Sequence, residues 1–193
     1  MNQSYRVKIN DKLILDLPLV ITEKFSYFSF NMMGKTLWNR IIGNHLANLI
    51  ISNEFKWNIN ALVTIESKAL GLAQVLSENL NIDQQIIFRK SRKSYMKNPH
   101  EFFSNSILSG DCSYWIDNDE LLSLKDKNIL IVDDVISTGG TMNAVIEALN
   151  TISTKPKLIS CVLTEGTKWS VFKGIDVISC GHIPIIERKQ END

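Results

Sequence analysis

Residues 128–142 read NILIVDDVISTGGTM, and the organisation of the chain follows from them. Ile129, Leu130, Ile131 and Val132 form a short apolar, β-rich run, the pattern of a parallel strand buried on both faces. Two carboxylates follow, Asp133 and Asp134, and then a turn of small residues, Ser137, Thr138, Gly139, Gly140 and Thr141. A helical pattern starts inside that turn. Its backbone N–H groups and the helix N-terminus face whatever sits beyond the strand, and glycine lets a ligand approach the backbone closely. The stretch is built to hold an anion, with carboxylates beside it for sugar hydroxyls or a metal ion.

Working outward, 193 residues with 44% hydrophobic content make one domain with a real core. The 21 basic and 21 acidic residues balance, so bulk attraction to nucleic acid or to a membrane surface has no support. The N-terminus MNQSYRVKINDK lacks the plan of a signal peptide, and no apolar run approaches the roughly 18 residues of a spanning helix. Cys112, Cys161 and Cys180 fit no metal spacing, and His45, His100 and His182 are scattered. Reduced structural thiols in a cytoplasmic protein are expected.

Val7, Ile9, Leu13, Leu15 and Leu17 alternate with polar residues as in a half-exposed hairpin, which Pro18 is expected to end. The segment FSYFSFNMM offers three phenylalanines and Tyr27, either as core or as a stacking surface for a flat ligand. Trp38, Ile41, Ile42, Leu46, Leu49 and Ile50 predict a one-sided helix from Thr36 to about Ile51, with Thr36 as its cap. Strands are predicted at Ala61–Ile65, Gln85–Phe88, Lys157–Thr164 and Asp176–Cys180, a hairpin around Ser109-Gly110-Asp111, and helices from about Leu70 to Leu80 and Gly140 to Thr151. This alternation implies an α/β fold with a central, mostly parallel sheet flanked by helices. Ligands bind at the carboxyl ends of such strands, so Glu66–Lys68 and Asp133–Thr141 can share one cleft.

Between Asp83 and Glu101 there is no acidic residue, and Arg89, Lys90, Arg92, Lys93 and Lys97 form a basic island. It is either a solvated loop or a mobile loop that meets a polyanion. The turn at 137–141 suits a monophosphate, Asp133 and Asp134 suit a ribose diol or Mg²⁺, and the island with Lys68 suits a diphosphate. Phosphoribosyl diphosphate carries all three groups in that order. Neither G-x-x-x-x-G-K-[ST] nor an early G-x-G-x-x-G is present, which removes the commonest NTPase and dinucleotide readings.

NILIVDDVISTGGTM resembles the phosphoribosyl diphosphate signature of the type I phosphoribosyltransferases nearly residue for residue. VTIESKALGLA (63–73) resembles the diphosphate loop and following helix of the purine enzymes, the xanthine enzymes especially, and FRKSRKS (88–94) the start of their flexible loop. FNMMGKTLWNRIIGNHLANLI (30–50) resembles the stretch in which an asparagine before the first helix contacts the purine, the place held here by Asn31. The resemblance spans residues 30–165. It implies a single domain over 1–193, with a core at about 35–165 and a small hood from about 1–34 and 166–193.

By that resemblance Asp133 and Asp134 bind the ribose hydroxyls, and Ser137, Thr138, Gly139, Gly140 and Thr141 hold the 5-phosphate. Glu66, Ser67 and Lys68 form the diphosphate loop, with Lys90, Arg92 and Lys93 on the loop that closes over it. Asp133, Asp134, Lys90 and Arg92 are the implied catalytic set, Mg²⁺ the implied cofactor, held through diphosphate, ribose and Asp133 and Asp134. A homodimer is the implied assembly. The expected function is purine salvage: phosphoribosyl transfer to xanthine, hypoxanthine or guanine, with diphosphate released.

The base site departs from the pattern. The xanthine enzymes carry a lysine directly after the glutamate that ends the late strand, whereas here Gly166 follows Glu165 and the nearest lysine is Lys168. Either Lys168 takes over, or the base differs. Trp169 and Phe172 offer faces to stack on a base or to pack the hood. The adenine enzymes place a glutamate where this chain has Ser106–Ser109, which disfavours the adenine alternative. A non-catalytic regulator that binds phosphoribosyl diphosphate is the other alternative. Such regulators place a DNA-binding domain before the fold, and only about 30 residues precede the first predicted helix here.

Overall fold

The structure is a computed structural model, and it describes residues 3–22, 26–52, 54–106, 110–167, 172 and 174–186. The centre is a parallel sheet of five strands in the order β10-β9-β8-β4-β5: β4 Ala61–Ile65, β5 Gln85–Phe88, β8 Ile129–Ile136, β9 Leu158–Glu165 and β10 Asp176–Ile183. All residues of β4 and β9 are buried. Successive residues of β8 alternate between two cores. Leu130 and Val132 pack with α1 (Thr36–Ile51) and α3 (Leu70–Leu80), while Ile129 and Ile131 pack with α5 (Gly140–Thr151). A strand covered on both faces has no polar side, which is why these segments read as unbroken apolar runs.

Helices α1 and α3 pack closely because Gly43 has no side chain. A Cβ there would lie 2.5 Å from Val75 Cγ1. The expected Thr36 cap is absent: Lys35 holds the cap position, and no side chain bonds the helix start. Instead Asn39, one turn in, donates its Nδ2 to Met32 O and Lys35 O at 3.0 and 2.9 Å, fixing the entry to α1 from within.

A second sheet, β1-β2-β3 (Ser4–Asn10, Leu13–Ile21 and Ser26–Phe28), forms the hood. Pro18 does not end β2, which continues to Ile21. The proline lies at the terminal pair of the β1 ladder, opposite Ser4, and its carbonyl accepts the Ser29 N–H at 2.9 Å just past the end of β3. Its missing N–H therefore falls where no ladder bond is lost, a tolerated place for proline in a sheet. The hood boundary also differs from the sequence expectation of 166–193. Residues 176–183 are the edge strand of the central sheet, and the chain reaches the hood at Ile186, which bridges Ser26.

The remaining elements are the hairpin of β6 (Pro99–Ser106) and β7 (Gly110–Asp117) and the short helices α2 (Glu54–Trp57) and α4 (Asn118–Leu122). The hairpin packs on α5, with Phe102, Tyr114 and Ile116 in the same core as Val145 and Leu149. The chain runs from β4 outward to β5 on one side and from β8 outward to β9 and β10 on the other. The strand order thus reverses between β4 and β8, where an open α/β sheet leaves a crevice. No helix among the described residues is long and apolar enough to cross a membrane.

Candidate active site

A cavity of about 430 Å³ opens at that crevice. β8 delivers Asp133 and Asp134 to its floor, and residues 137–141 wrap its far end where α5 begins. Gly139 is the cap of α5 at φ 78°, and a Cβ there would lie 2.9 Å from Phe172 Cζ. Only glycine tolerates both that backbone and that ring. Phe172 is buried beneath the turn in the core with α5, so its ring supports the turn and is not free to stack on a base. Tyr114, reaching over from β7, places its hydroxyl 3.1 Å from Thr141 Oγ1. Burial pushes the Tyr114 phenol above its usual range, so it stays a neutral hydrogen-bonding group.

The carboxylate pair is largely shielded from water. Burial first, and then the neighbouring Asp134 charge, push Asp133 well above the ordinary carboxylate range. Asp133 Oδ1 accepts the Asp134 N–H at 2.8 Å. Two buried oxygens on the cavity wall, Asp134 Oδ2 and Ser137 Oγ, have no hydrogen-bond partner among the described residues. Buried polar atoms are rarely left so, and both point to a ligand with complementary groups.

From β4 come Glu66, Ser67 and Lys68, with a cis peptide between Glu66 and Ser67. Lys68 Nζ lies 3.7 Å from Asp134 Oδ2. Glu66 is bound to the basic loop after β5: its Oε2 accepts the Lys90 N–H at 3.0 Å, and Arg89 Nη1 and Lys93 Nζ approach at 3.6 and 3.5 Å. Burial raises the Glu66 carboxyl, but the Lys90 N–H and the Lys93 and Arg89 charges outweigh it and hold the group below its ordinary value.

Thus Asp133, Asp134, Glu66, Ser67, Lys68, Lys90, Ser137, Thr138, Gly139, Gly140 and Thr141 share one cavity, although the sequence separates them by up to 75 residues. Lys93 lies against Glu66, outside the lining, and Arg92 is exposed and also outside it. Asn31 is exposed, with its Oδ1 accepting the Met33 N–H at 3.0 Å; the lining ends at Phe30. Lys168 and Trp169 lie outside the described residues. Sequence reasoning missed Tyr114, Cys112 and Ile183 on the cavity wall, since hairpin and edge-strand residues carry no motif. Burial raises the Cys161 thiol well above its usual range and Cys180 to about 12, in keeping with inert, structural thiols.

Residues 39–185 match the family model described as the phosphoribosyl transferase domain. The chain belongs to the phosphoribosyltransferase family. It is a pentosyltransferase by that membership. Among curated relatives, the hypoxanthine/guanine phosphoribosyltransferase of Methanothermococcus okinawensis is 28% identical over 187 residues, covering 89% of this chain and 92% of the relative. The enzyme of the same name from Methanocaldococcus vulcanius is 31% identical over 160 residues, covering 81% and 82%. Of solved structures, the adenine phosphoribosyltransferase of Thermoanaerobacter pseudethanolicus superposes with a TM-score of 0.69 at 16% identity, covering 86% of this chain and 95% of that one. The Giardia lamblia APRTase complexed with 9-deazaadenine gives 0.68 at 16% identity, covering 86% and 93%. At that identity the structural likeness establishes the type I phosphoribosyltransferase fold alone.

Proposed function

We propose that this phosphoribosyltransferase moves the 5-phosphoribosyl group from phosphoribosyl diphosphate to a purine base, with hypoxanthine, guanine and xanthine favoured, and releases diphosphate in nucleotide salvage. One observation carries the reading: a single cavity holds a phosphate-shaped turn, a carboxylate pair and a cationic loop, with Asp134 Oδ2 and Ser137 Oγ buried inside it and, among the described residues, without a hydrogen-bond donor. The names of the relatives support the choice of base class.

In this reading the 137–141 turn holds the 5-phosphate through its N–H groups and Ser137 Oγ. Asp133 and Asp134 accept the ribose hydroxyls, which replaces the water they have lost. Lys68 and Lys90 meet the diphosphate. Cleavage of the anomeric C–O bond leaves positive charge on the sugar and negative charge on diphosphate. Asp133 and Asp134 lie on the side of the first and the lysines on the side of the second, so the field favours separation. The loop after β5 is placed to exclude water, which would otherwise consume the activated sugar.

Mg²⁺ belongs to the same reading. The described residues contain no cluster of three or more metal-ligating side chains, but a carboxylate pair completed by substrate oxygens suits Mg²⁺, which favours few protein ligands. Asp133 and Asp134 would help hold it, and when bound it would neutralise diphosphate charge. The chain acts in this reading as a cytoplasmic homodimer, on the strength of the family resemblance.

The test is Mg²⁺-dependent diphosphate release with a panel of purines, repeated with Asn31→Ala. Turnover with an oxopurine is expected. Tight phosphoribosyl diphosphate binding without turnover on any base would overturn the enzyme reading in favour of a regulator. If Asn31 reads the base, its loss raises KM for the base far more than for phosphoribosyl diphosphate.

A further inference from the structure

The carboxyl end of the central sheet holds the cavity described above. At the amino end a second groove opens, with a volume of about 540 Å³, and the phosphoribosyl transfer proposed above does not use it. Two connections wall it. The one entering β8 brings Lys127 beside Asp126, and the one from α5 to β9 brings Lys155 and Lys157. The Lys157 N–H donates to Ile129 O at 2.9 Å, which clamps the two connections side by side. Three lysines and one aspartate therefore line one concavity, in a chain whose basic and acidic residues balance overall.

These lysines have charge to offer. Among the described residues none of the three makes an ion pair, not even with Asp126, whereas Lys8, Lys56, Lys68 and Lys93 each have a carboxylate. A helix C-terminus attracts cations, and α5 ends at this groove. Its last carbonyls are already bonded, however. Asn150 O accepts the Ser153 N–H at 3.0 Å, and Leu149 O accepts those of Ile152 and Thr154 at 3.2 and 3.0 Å. The ammonium donors are thus not taken up in capping the helix. Lys127 is half-buried and Lys155 and Lys157 are exposed. A partly desolvated cation beside two solvated ones gains from an anion that meets all three.

The rest of the wall sets the class of that anion. It adds Asn128, Asn150, Ser153 and Thr154, and among the described residues no apolar or aromatic side chain. A nucleobase or other flat ring has nothing to stack on there. The groove suits a compact anion with several charged oxygens, each met by an ammonium, a hydroxyl or an amide. Asn128 precedes Asp133 by five residues, about 16 Å along an extended strand, so an occupant of the groove does not reach the carboxylate pair. We propose that this groove is a second anion site, separate from the catalytic cavity, and that it takes a chain of condensed phosphates: inorganic di- or triphosphate, or the triphosphate tail of a nucleotide. The proposal does not depend on which base the enzyme uses.

The experiment titrates the protein with inorganic triphosphate at low salt, without divalent cations, by calorimetry and by amide-shift mapping. The amides of Lys127, Ser153, Thr154 and Lys155 should shift on binding. Lys155→Gln with Lys157→Gln should weaken binding at these amides on the order of 10-fold, and Lys127→Gln added to the pair on the order of 100-fold, with Tm unchanged. The double variant removes only exposed side chains, and it carries the test should the triple variant not fold. Lys8→Gln with Lys12→Gln, which removes the same charge from the β1–β2 hairpin, should leave the affinity as it was. ATP should shift the same amides with an affinity no greater than that of triphosphate, because the tail alone is read. Shifts confined to Lys68 and residues 137–141, an equal loss of affinity in the Lys8 and Lys12 variant, or ATP binding at the groove far more tightly than triphosphate overturns the proposal.

Discussion

Lys68 Nζ stands 3.7 Å from Asp134 Oδ2, across the point where the strand order reverses. The lysine side chain is half exposed and the aspartate almost wholly buried, so the pair joins the 66–68 loop to the carboxylate pair, with both residues on the cavity wall. Lys68→Gln should therefore raise KM for phosphoribosyl diphosphate and lower kcat while leaving KM for the base unchanged. Steady-state kinetics with both substrates varied checks this. A change in base KM alone would place Lys68 elsewhere in the reaction.

The paired substitution Asp133→Asn with Asp134→Asn should abolish most activity and keep the fold. Two charge-assisted hydrogen bonds at about 1.5–3 kcal/mol each amount to a loss on the order of 10²–10⁴ in kcat/KM. Removing two crowded, shielded charges should leave Tm unchanged or raised, because Asp133 is already pushed up by burial and by Asp134. Retained activity would show that the acidic pair is structural only.

Tyr114→Phe removes the hydroxyl that meets Thr141 Oγ1 and nothing else. One hydrogen bond of about 0.5–1.5 kcal/mol predicts a 2- to 10-fold rise in KM for phosphoribosyl diphosphate, with base KM unaltered. Comparison with Thr141→Val in a double-mutant cycle separates the pair from the two residues taken singly.

Gly139→Ala should be worse than its size suggests. The φ of 78° costs an alanine about 1–2 kcal/mol, and its Cβ would press on Phe172. Thermal unfolding should occur several degrees lower, and KM for phosphoribosyl diphosphate should rise at least about tenfold as the turn's N–H groups shift.

Acid should release the basic loop. Asp117 accepts the N–H groups of Lys97 and Asn98 at 2.7 and 3.1 Å, as Glu66 accepts that of Lys90. The Asn98 N–H, acting against slight burial, holds Asp117 below its ordinary value, with the Asp119 and Lys97 N–H groups adding to it. Both carboxyls are lowered in the folded chain, so their contribution is present above the unfolded values of about 4 and is lost as pH falls through the folded ones. Amide-exchange protection at Lys90, Lys97 and Asn98, corrected for intrinsic rates, should fall below about pH 4 while that of Leu130 and Ile131 persists. At neutral pH, Glu66→Ala should release the Lys90 N–H and the Arg89 and Lys93 side chains while Lys97 and Asn98 stay protected.

The core strands were legible because burial on both faces leaves an apolar signature: Ala61–Ile65 and Gln85–Phe88 lie where their composition puts them, and α1 and α5 keep their expected limits. Local turn chemistry was less legible. Thr36 looked like a cap, but Asn39 reaches back to do the work, and Pro18 looked like a terminator, but the ladder changes partner there.

By itself the sequence placed the strand end and turn from Asp133 to Thr141. A phosphate turn, a carboxylate pair and their strand are contiguous, so local spacing places them without help from the rest of the chain. Only the tertiary structure decided which residues close the cavity around that stretch. Glu165, Ile183, Tyr114 and Phe30 come from strands, a hairpin and a hood far apart in the chain, and neither their burial nor their facing one cavity leaves a local periodic trace. That Glu165 lies across β8 from Lys68 is a consequence of strand order, which is settled by how the crossovers pack and not by any residue in either loop.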